Sequence, residues 1–223
     1  LRREIDPTGA ATVFGYDERG YLGSITDALG HTQRIETDAC GNIVALVDAL
    51  GRRTAVTLDT LGNVTRVVDA LGHVTERFHD AKSRLTRVVM ATGDQISLEH
   101  DAEDNPIAYR DEEGKVTRFQ YRGLGQLSRI DRPNGTGISY RYDTEERLIC
   151  VTNERGERYE FTYDALGQVI TEKTFDGRLL KYTWSPSGHL ARVEYPDGSW
   201  RELECDARGG LIAETAPDGV TQI

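Results

Sequence analysis

The chain of 223 residues has few cysteines, few prolines and no long apolar run. Its three cysteines, Cys40, Cys150 and Cys205, form no CxxC pair, so neither a disulfide framework nor a zinc site is predicted and each is expected to be an isolated thiol. No segment approaches the roughly 20 apolar residues of a membrane-spanning helix, and residues 1–4 do not resemble a signal peptide. No cofactor is predicted.

Positive charge is scarce relative to negative charge. The chain has 27 Lys and Arg against 37 Asp and Glu, which gives a formal net charge of −10. Binding to nucleic acids and to anionic membranes depends on clustered positive charge, so the composition argues against both partners. Hydrophobic residues make up only 38%, which is low for a thick globular core, whereas 10 Tyr, 5 Phe and 2 Trp argue against disorder.

Glycine is abundant, and its 23 residues are spread along the whole chain. A frame that begins at Tyr16 and advances by 21 residues aligns the sequence without a gap, and a fixed period of this kind is typical of repeat proteins. Residues 1–15 are then the end of an earlier unit, and the last unit lacks its final two positions. The units begin at Tyr16, Thr37, Leu58, His79, His100, Tyr121, Tyr142, Tyr163, Trp184 and Cys205.

A few frame positions keep one residue type from unit to unit. Position 15 is always glycine, position 2 is Asp in eight of ten units, position 5 is often glycine, and position 1 is mostly a large side chain. These positions are expected to be structural rather than catalytic. The predicted structural repeat positions are Tyr16, Asp17, Gly20, Gly30, Gly51, Asp59, Gly62, Gly72, Gly93, Gly114, Gly135, Tyr142, Asp143, Gly156, Tyr163, Asp164, Gly167, Gly177, Gly198 and Gly219.

Each unit is predicted to hold two turns and two short strands. In the first turn, at positions 2–5, Asp can hydrogen-bond its own backbone and Gly supplies a positive φ. The second turn ends at position 15, where Asn134-Gly135 and Asp197-Gly198 are strong hairpin signals. The strand after it alternates, so one face packs and the other is solvated. In the other strand positions 7 and 10 are both apolar, which leaves a β-bulge or partial cover of both faces as alternatives.

No segment shows the period and end signals of an amphipathic helix. One hairpin is at best marginally stable by itself, so each unit must bury its surface against its neighbours. The sequence therefore predicts an all-β fold of antiparallel hairpin repeats stacked as a solenoid or spiralling shell. Residues 1–223 are expected to form a single array, a fragment of a longer shell, with open edges that invite pairing with further repeats.

The repeated string resembles the Tyr-Asp (YD) repeat of the Rhs family. Residues 163–169 read Tyr-Asp-Ala-Leu-Gly-Gln-Val and residues 69–75 read Asp-Ala-Leu-Gly-His-Val-Thr, and the resemblance extends over essentially the whole chain. The units that begin at His79 and His100 depart from the pattern, because Ser83 and Asp104 replace the glycine at position 5.

The resemblance implies a non-enzymatic, structural role. In Rhs-type toxins the repeats form a hollow β-shell around a C-terminal toxin domain, made in the bacterial cytoplasm and then secreted or delivered, often by type VI secretion. The implied partners are adjacent repeats, the enclosed toxin domain and a secretion spike protein. The alternative is a YD-repeat cell-surface module that recognises glycans or proteins through an aromatic row. That row comprises Tyr121, Tyr142, Tyr163 and Trp184.

Acidic and histidine residues offer the remaining candidate chemistry. Residues 99–105 and 111–113 could hold Ca²⁺, but their spacing is not that of an EF-hand, and a solvated acidic rim is favoured. His79 and His100 both occupy position 1, about 10 Å apart in regular stacking, too far for a shared metal without another ligand. They are expected to replace packing aromatics, and no metal site is predicted.

The other polar motifs are interpreted as structural. His31 and His73 are expected to be solvated turn residues, and the frequent Arg and Glu are expected to form cross-strand ion pairs. Residues 6–9, Asp-Pro-Thr-Gly, superficially match a cleavage motif of the family, but they occupy turn positions of the frame and are interpreted as a turn. No nucleophile–base constellation or phosphate-binding loop occurs, so no enzyme is predicted.

Overall fold

The computed structural model describes residues 2–206, 208–219 and 221–222, and every regular element in these ranges is a β-strand. The described part contains no helix that is long and apolar enough to cross a membrane. The strands are β1 (Arg2–Ile5), β2 (Ala11–Tyr16), β3 (Leu22–Thr26), β4 (Thr32–Thr37), β5 (Ile43–Val47), β6 (Arg53–Leu58), β7 (Val64–Val68), β8 (Val74–His79), β9 (Leu85–Val89), β10 (Gln95–His100), β11 (Pro106–Arg110), β12 (Val116–Arg122), β13 (Gln126–Asp131), β14 (Gly137–Tyr142), β15 (Leu148–Thr152), β16 (Arg158–Tyr163), β17 (Val169–Lys173), β18 (Leu179–Trp184), β19 (Leu190–Glu194), β20 (Trp200–Cys205), β21 (Leu211–Thr215) and β22 (Thr221–Gln222).

The chain divides into two compact units, Leu1–Val116 and Thr117–Ile223. In the first unit, each strand from β1 to β11 pairs antiparallel with the next. In the second, the strands from β12 to β22 pair in the same way. The prediction of an all-β fold built from antiparallel hairpin repeats is therefore confirmed.

Apart from the turn at residues 122–125, where Gly123 also has a positive φ, the described hairpin turns share one four-residue backbone form. In the turn at residues 164–167, the Gly167 N–H donates to the Asp164 carbonyl at 3.1 Å, and the Asp164 N–H donates to the Gln168 carbonyl at 2.9 Å. Residues 6–9 adopt this form too, with the Gly9 N–H 3.0 Å from the Asp6 carbonyl, so their interpretation as a turn is confirmed.

The Asn-Gly turn belongs to the same class rather than to the two-residue hairpin turns. The Gly135 N–H donates to the Arg132 carbonyl at 3.0 Å, which makes glycine the fourth residue of the turn. Asn134 is not among the residues with a positive φ, whereas a type I′ turn requires a positive φ at both central residues. The turn is thus of the longer kind in which glycine follows a type I bend.

A β-bulge explains why positions 7 and 10 are both apolar. In the pairing of β2 with β3, Tyr16 lies opposite Leu22 and Phe14 lies opposite Ile25, with one extra residue between the two pairs on β3. Tyr16 and Phe14 share a face because they are two residues apart, so Leu22 and Ile25 share it as well. The same shift recurs in nine further hairpins.

The core is thin. Strand β18 shows the predicted alternation, because Leu180, Tyr182 and Trp184 are half-buried while Lys181 and Thr183 are exposed. Within the described residues only four apolar side chains are buried, and none of the large ones is completely enclosed. Those four are Ala45, Ala108, Cys150 and Val193. A sheet of this kind depends on contacts between neighbouring hairpins instead of a deep interior.

Candidate functional site: the contacts that stack the repeats

Where a turn begins with aspartate, the side chain of that residue closes the turn. The Asp164 carboxylate accepts the backbone N–H groups of Leu166 at 2.8 Å and Gln168 at 2.9 Å. A carboxylate oxygen thus accepts hydrogen bonds from two backbone N–H groups that would otherwise bind only water at the tip of the turn. The same two bonds are made by Asp6, Asp17, Asp27, Asp38, Asp48, Asp59, Asp69, Asp80, Asp101, Asp111, Asp143 and Asp206.

At several of these turns the hydrogen bonds lower the pKa of the aspartate. The side chain of Asn63 donates to Asp59 at 2.9 Å, and this bond, followed by the Asn63 backbone N–H, holds the pKa of Asp59 below its ordinary value. In the same way the His31 ring is the largest cause of the lowered pKa of Asp27. A turn former with a lowered pKa stays ionised at neutral pH, so it accepts hydrogen bonds and does not act as a general acid.

The glycine at the end of each turn is required by its backbone conformation. Gly51 has a φ of +78°, and a Cβ on it would meet no atom within 4 Å. The left-handed backbone, and not a lack of space, therefore favours glycine there. Gly41 has a second reason, because a Cβ on it would lie 2.3 Å from Cε1 of the Tyr21 ring. The Tyr21 hydroxyl also donates to the Cys40 carbonyl at 3.3 Å. This bond joins the equivalent turns of two adjacent repeats.

Three residues with side chains adopt the same left-handed backbone. Ser83, Asp104 and Glu146 have φ values of 64°, 70° and 64° at frame position 5. These are the three units in which position 5 is not glycine. The hairpin therefore holds a residue with a side chain in a backbone conformation that is unfavourable for it. Ser83 and Asp104 were identified from the sequence as departures from the motif, but Glu146 was not. The 21-residue frame would have revealed it, because Glu146 also occupies position 5.

Aromatic side chains at frame position 1 connect adjacent repeats in the second unit. The Tyr142 hydroxyl donates to the Leu127 carbonyl at 2.9 Å, and the Tyr163 hydroxyl donates to the Leu148 carbonyl at 2.7 Å. The Trp184 indole N–H makes the equivalent bond to the carbonyl of residue 169 at 2.8 Å. Each ring thus reaches back 15 residues, onto the strand that opens the preceding repeat. This column of rings is called the aromatic column below.

The aromatic column is not arranged for stacking on sugars. Tyr142, Tyr163 and Trp184 are half-buried, and their polar atoms already donate to the backbone. Arg147 also covers the Tyr163 ring, with its guanidinium carbon 4.9 Å from the ring centroid. The rings therefore pack between repeats, as polar-tipped aromatics commonly do when partly buried.

In the first unit, basic side chains connect the turns of adjacent repeats. The Arg84 guanidinium donates to the Asp101 carbonyl at 2.7 Å, and the Lys82 ammonium donates to the Ala102 carbonyl at the same distance. Both cations also contact the Asp104 carboxylate, at 2.7 and 2.9 Å. The turn that begins at Asp80 is thereby fixed to the turn one repeat later.

The acidic stretch is occupied by these contacts and offers no cation cage. Asp101 accepts two backbone N–H groups and the Asn105 amide, and Asp104 is paired with Lys82 and Arg84. Lys115 lies against Glu113. Nowhere in the described residues do three or more His, Cys, Asp or Glu side chains converge in a way that could hold a metal ion.

The histidines fall into two classes. His31 and His73 are exposed, and each ring Nδ1 lies 2.9 or 2.8 Å from the carboxylate of Asp27 or Asp69 in its own turn. His79 and His100 are half-buried at position 1, and the buried Nδ1 of each has no hydrogen-bond partner. These two rings occupy the packing position of an aromatic without making the hydrogen bond of the aromatic column.

Arginine and glutamate pair across the strands, as predicted. Arg192 and Glu202 lie directly opposite each other on β19 and β20, with their charged atoms 2.7 Å apart. Arg53 pairs with Glu36 at 2.6 Å across a larger separation in sequence. Ion pairs at this exposure each contribute little to the free energy of unfolding, so they are not the main contacts that hold the hairpins together.

The cysteines are free thiols in different surroundings. Cys40 is exposed, Cys205 is half-buried, and Cys150 is buried with the Arg158 Nε 3.5 Å from its sulfur. An open groove of about 680 Å³ lies beside β18 and β19, and half of its lining residues are charged. Two of these charges are already paired, because Arg178 lies 2.8 Å from Asp176.

These features define a class of protein: a tandem array of 21-residue β-hairpins whose repeated residues build turns and join neighbouring repeats. The family model of the RHS repeat matches residues 38–74, 59–95, 100–136 and 142–179, which together exceed half of the chain. The chain belongs to the RHS repeat family, as its resemblance to YD repeats predicted. Among curated proteins, no sequence matches the chain.

Comparison with solved structures gives one match that supports a shared fold and others of lower similarity. A crystal structure of TcdB2-TccC3 without its hypervariable C-terminal region matches with a TM-score of 0.57 at 16% identity. The match covers 96% of this chain and 14% of that one, so the chain spans only a small part of the relative's length. A TcdB2-TccC3-TEV structure matches with a TM-score of 0.40 at 14% identity, over 96% of this chain and 17% of that one. The Photorhabdus luminescens Tc holotoxin pore matches with 0.39 at 14% identity, over 98% and 19%.

Proposed function

We propose that this chain is a non-enzymatic stretch of the repeat wall of an RHS-type toxin, and that the wall encloses a C-terminal toxin domain. The observation that carries the proposal is that the repeated residues all have structural roles in the sheet. The aspartates close turns, the glycines supply a left-handed backbone, and the polar-tipped rings join adjacent repeats. Aspartates that could have served a catalytic or metal site are instead engaged in closing the turns.

The solved relatives support the same role. The structure with a TM-score above 0.5 is a toxin complex, and this chain matches only 14% of its length. A repeat array that occupies a small part of a large toxin subunit is suited to building a container. Delivery out of the bacterial cell follows from this role. The type VI route and a spike protein as partner stay predictions, since the relatives named in solved structures are Tc complexes.

Limited proteolysis of the complete polypeptide that contains these repeats tests the proposal. We expect the region C-terminal to the repeats to resist protease in the intact protein and to be digested when it is produced alone. The double variant Tyr163→Ala, Trp184→Ala removes two members of the aromatic column and should expose that region. Thr37→Ala, at the same frame position, removes no ring and only the hydrogen bond that Arg19 donates to the threonine hydroxyl at 3.0 Å. It is the matched control and should leave protection unchanged.

Digestion of the C-terminal region at the same rate in the intact protein and in isolation would contradict enclosure. A repeat region followed by no further domain would contradict it as well. The alternative, a cell-surface module that binds glycans, is tested on a glycan array with the same variants. Sugar binding that depends on Tyr163 and Trp184 would favour the module over the container.

A further inference from the structure

The two edges of the meander differ in the space around the glycines of their turns. The first turns, at frame positions 2–5, lie along one edge, and the second turns, which end at position 15, lie along the other. These are called the first-turn edge and the second-turn edge below. A Cβ added to a position-15 glycine would meet no atom within 4 Å, and this holds for Gly9, Gly30, Gly51, Gly72, Gly93, Gly114, Gly135, Gly156, Gly177, Gly198 and Gly219.

On the first-turn edge, a side chain of the preceding repeat covers several of the glycines. A Cβ on Gly41 would lie 2.3 Å from the Tyr21 ring, and one on Gly209 would lie 3.0 Å from the His189 ring. The covering residue occupies frame position 6 in each case, directly after the first turn of its own repeat. The covered pairs are Tyr21–Gly41, Arg147–Gly167, Gln168–Gly188 and His189–Gly209.

Hydrogen bonds also join first turns of adjacent repeats. The Gln126 amide, at position 6, donates to the Glu146 carbonyl at 3.1 Å. The Arg19 guanidinium, at position 4, donates to the Asp38 carbonyl at 2.7 Å. A side-chain contact from one repeat to the first turn of the next is called a turn bridge below. Further turn bridges to backbone carbonyls are made by Tyr21, Lys82, Arg84, Arg147 and Gln168.

The second-turn edge has few contacts of this kind. Among the described second turns between residues 6 and 198, Arg132 pairs with Glu154 of the next turn at 2.6 Å, and the Tyr159 ring contacts the Phe175 ring of the next repeat at 5.2 Å. Both contacts belong to the second unit. Open grooves separate other second turns, one of about 680 Å³ beside β18 and β19 and one of about 340 Å³ in the first unit.

The exposure of the tips does not distinguish the two edges. Leucines are exposed at second turns, namely Leu29, Leu50 and Leu71, and at first turns, namely Leu61, Leu124 and Leu166. The difference between the edges therefore lies in the contacts between neighbouring turns.

One first turn of the first unit shows that position 6 decides whether a bridge forms. Asn42 occupies position 6 before the turn at residues 59–62, but its amide donates at 3.0 Å to Asp38 in its own turn. A Cβ on Gly62 would accordingly meet no atom within 4 Å. The turn at residues 59–62 keeps the usual backbone form, so the form of the turn does not by itself produce a bridge.

We propose that the sheet opens locally along its second-turn edge while turn bridges hold the first-turn edge closed. Local opening starts where few contacts hold a segment. The backbone bonds within the turns are alike on the two edges, because the Asp38 N–H donates to the Asn42 carbonyl at 2.9 Å and the Asp48 N–H donates to the Arg52 carbonyl at 3.0 Å. The contacts between repeats, and not the turns themselves, therefore set which edge opens.

Amide hydrogen exchange of the complete polypeptide that contains these repeats tests the proposal without any substitution. After correction for intrinsic rates, the N–H groups of Asp38 and Asp101, in bridged first turns, should exchange about tenfold more slowly than those of Asp48 and Asp69, in second turns. Asp59, which begins the first turn without a bridge, should exchange as fast as the second turns. Equal rates on the two edges would overturn the proposal, as would slow exchange of Asp59.

Removal of one bridge provides a second test. The double variant Arg19→Met, Tyr21→Phe deletes the donors that reach the turn at residues 38–41 but keeps the apolar parts of both side chains. Exchange of the Asp38 N–H should rise about tenfold, to the rate of Asp59, with an unchanged far-UV circular dichroism spectrum. Exchange of the Asp48 N–H should not change. An Asp38 N–H that exchanges as slowly as in the wild type would contradict the proposal.

Arg52→Met is the matched control. It removes an arginine that pairs with Asp48 in its own second turn at 2.6 Å, so exchange of Asp69 in the next second turn should stay unchanged. The inference goes beyond the proposed wall function, because it concerns which edge opens whatever the repeats enclose. Protease protection of the C-terminal region and exchange of turn amides are independent measurements, so either can fail without the other.

Discussion

The two units of the chain share one 21-residue frame, and in both an arginine donates to a carbonyl in the turn one repeat later, Arg84 to Asp101 and Arg147 to Asp164, but they differ in what frame position 1 contributes. In the second unit Tyr142, Tyr163 and Trp184 donate from half-buried rings to carbonyls of the preceding repeat, at 2.7–2.9 Å. In the first unit no such bond from position 1 is observed among the described residues, and Lys82 and Arg84 reach 2.7 Å from turn to turn. Repeats can therefore be joined by half-buried rings with a polar tip or by charged side chains at the turns, and the two kinds of contact should respond differently to mutation, salt and acid.

The contrast in frame position 1 is the sharpest part of this comparison. The first unit places Tyr16, Thr37, Leu58, His79 and His100 there. The two histidines leave a buried ring nitrogen without a partner, whereas three residues of the second unit satisfy theirs. An unsatisfied buried polar atom is costly, so position 1 contributes less to the joining of repeats at the two histidines than at the aromatic column.

The largest expected effect comes from removing one ring of the aromatic column. Trp184→Ala deletes half-buried apolar surface and one hydrogen bond, and should destabilise the neighbouring hairpins by about 2 kcal/mol, below the range for fully buried aromatics. Amide hydrogen exchange of β17–β19 measures the change locally, because a repeat array need not unfold in one step. Thr37→Ala in the first unit should shift exchange by less than about 0.5 kcal/mol. Equal effects would remove the contrast.

A smaller effect is expected where a side chain occupies the left-handed turn position. Glu146→Gly relieves the strain and should stabilise the second unit by about 0.5–1 kcal/mol, after allowance for the greater freedom of glycine in the unfolded chain. Asp104→Gly relieves similar strain in the first unit but removes the contacts to Lys82 and Arg84, so its gain should be smaller. Urea unfolding of both variants provides the test, and a larger gain for Asp104→Gly would contradict it.

The smallest effect is expected from acid, and it should be clearest at the turn that begins at Asp80. The Arg84 side chain lowers the pKa of Asp80 from 3.8 to about 2. Because the carboxylate is favoured in the folded state, its contribution to stability is complete above about pH 4 and is lost as the pH falls from 4 towards 2. Hydrogen exchange of the turn at residues 80–83 should rise over that window, and Asp80→Asn should remove the dependence. A wild-type profile that stays flat between pH 4 and 2 would contradict the assignment.

Much of the fold was predictable because a short motif that is ambiguous in one copy becomes informative when it recurs at a constant spacing. A single Asp-x-x-Gly string is weak, but the same string at constant spacing fixed the number of hairpins, their turns and the alternation of the strands. The two apolar positions 7 and 10 stayed ambiguous for a physical reason. A bulge is a property of the pairing between two strands, and only the register of Tyr16 opposite Leu22 shows it.

The contacts between repeats were less predictable. Polar-tipped aromatics at position 1 could have suggested hydrogen bonding, but sequence alone left open whether Tyr163 faces a ligand or the neighbouring repeat. The exposure of Leu29, Leu50 and Leu71 was equally hidden, because a leucine in a turn can fold back on the sheet or project from it. Both questions depend on where the side chain lies relative to a segment distant in sequence.

The sequence by itself determined the period, the hairpin and the positions of the turns, since these follow from short-range preferences of Asp, Gly and alternating apolar residues. The tertiary structure alone decided which rings join repeats, which carboxylates are held by cations, and which apolar side chains remain in solvent. Strand pairing brings together atoms that lie 15 to 22 residues apart, and the balance between packing and exposure at those distances is set by the geometry of the whole sheet.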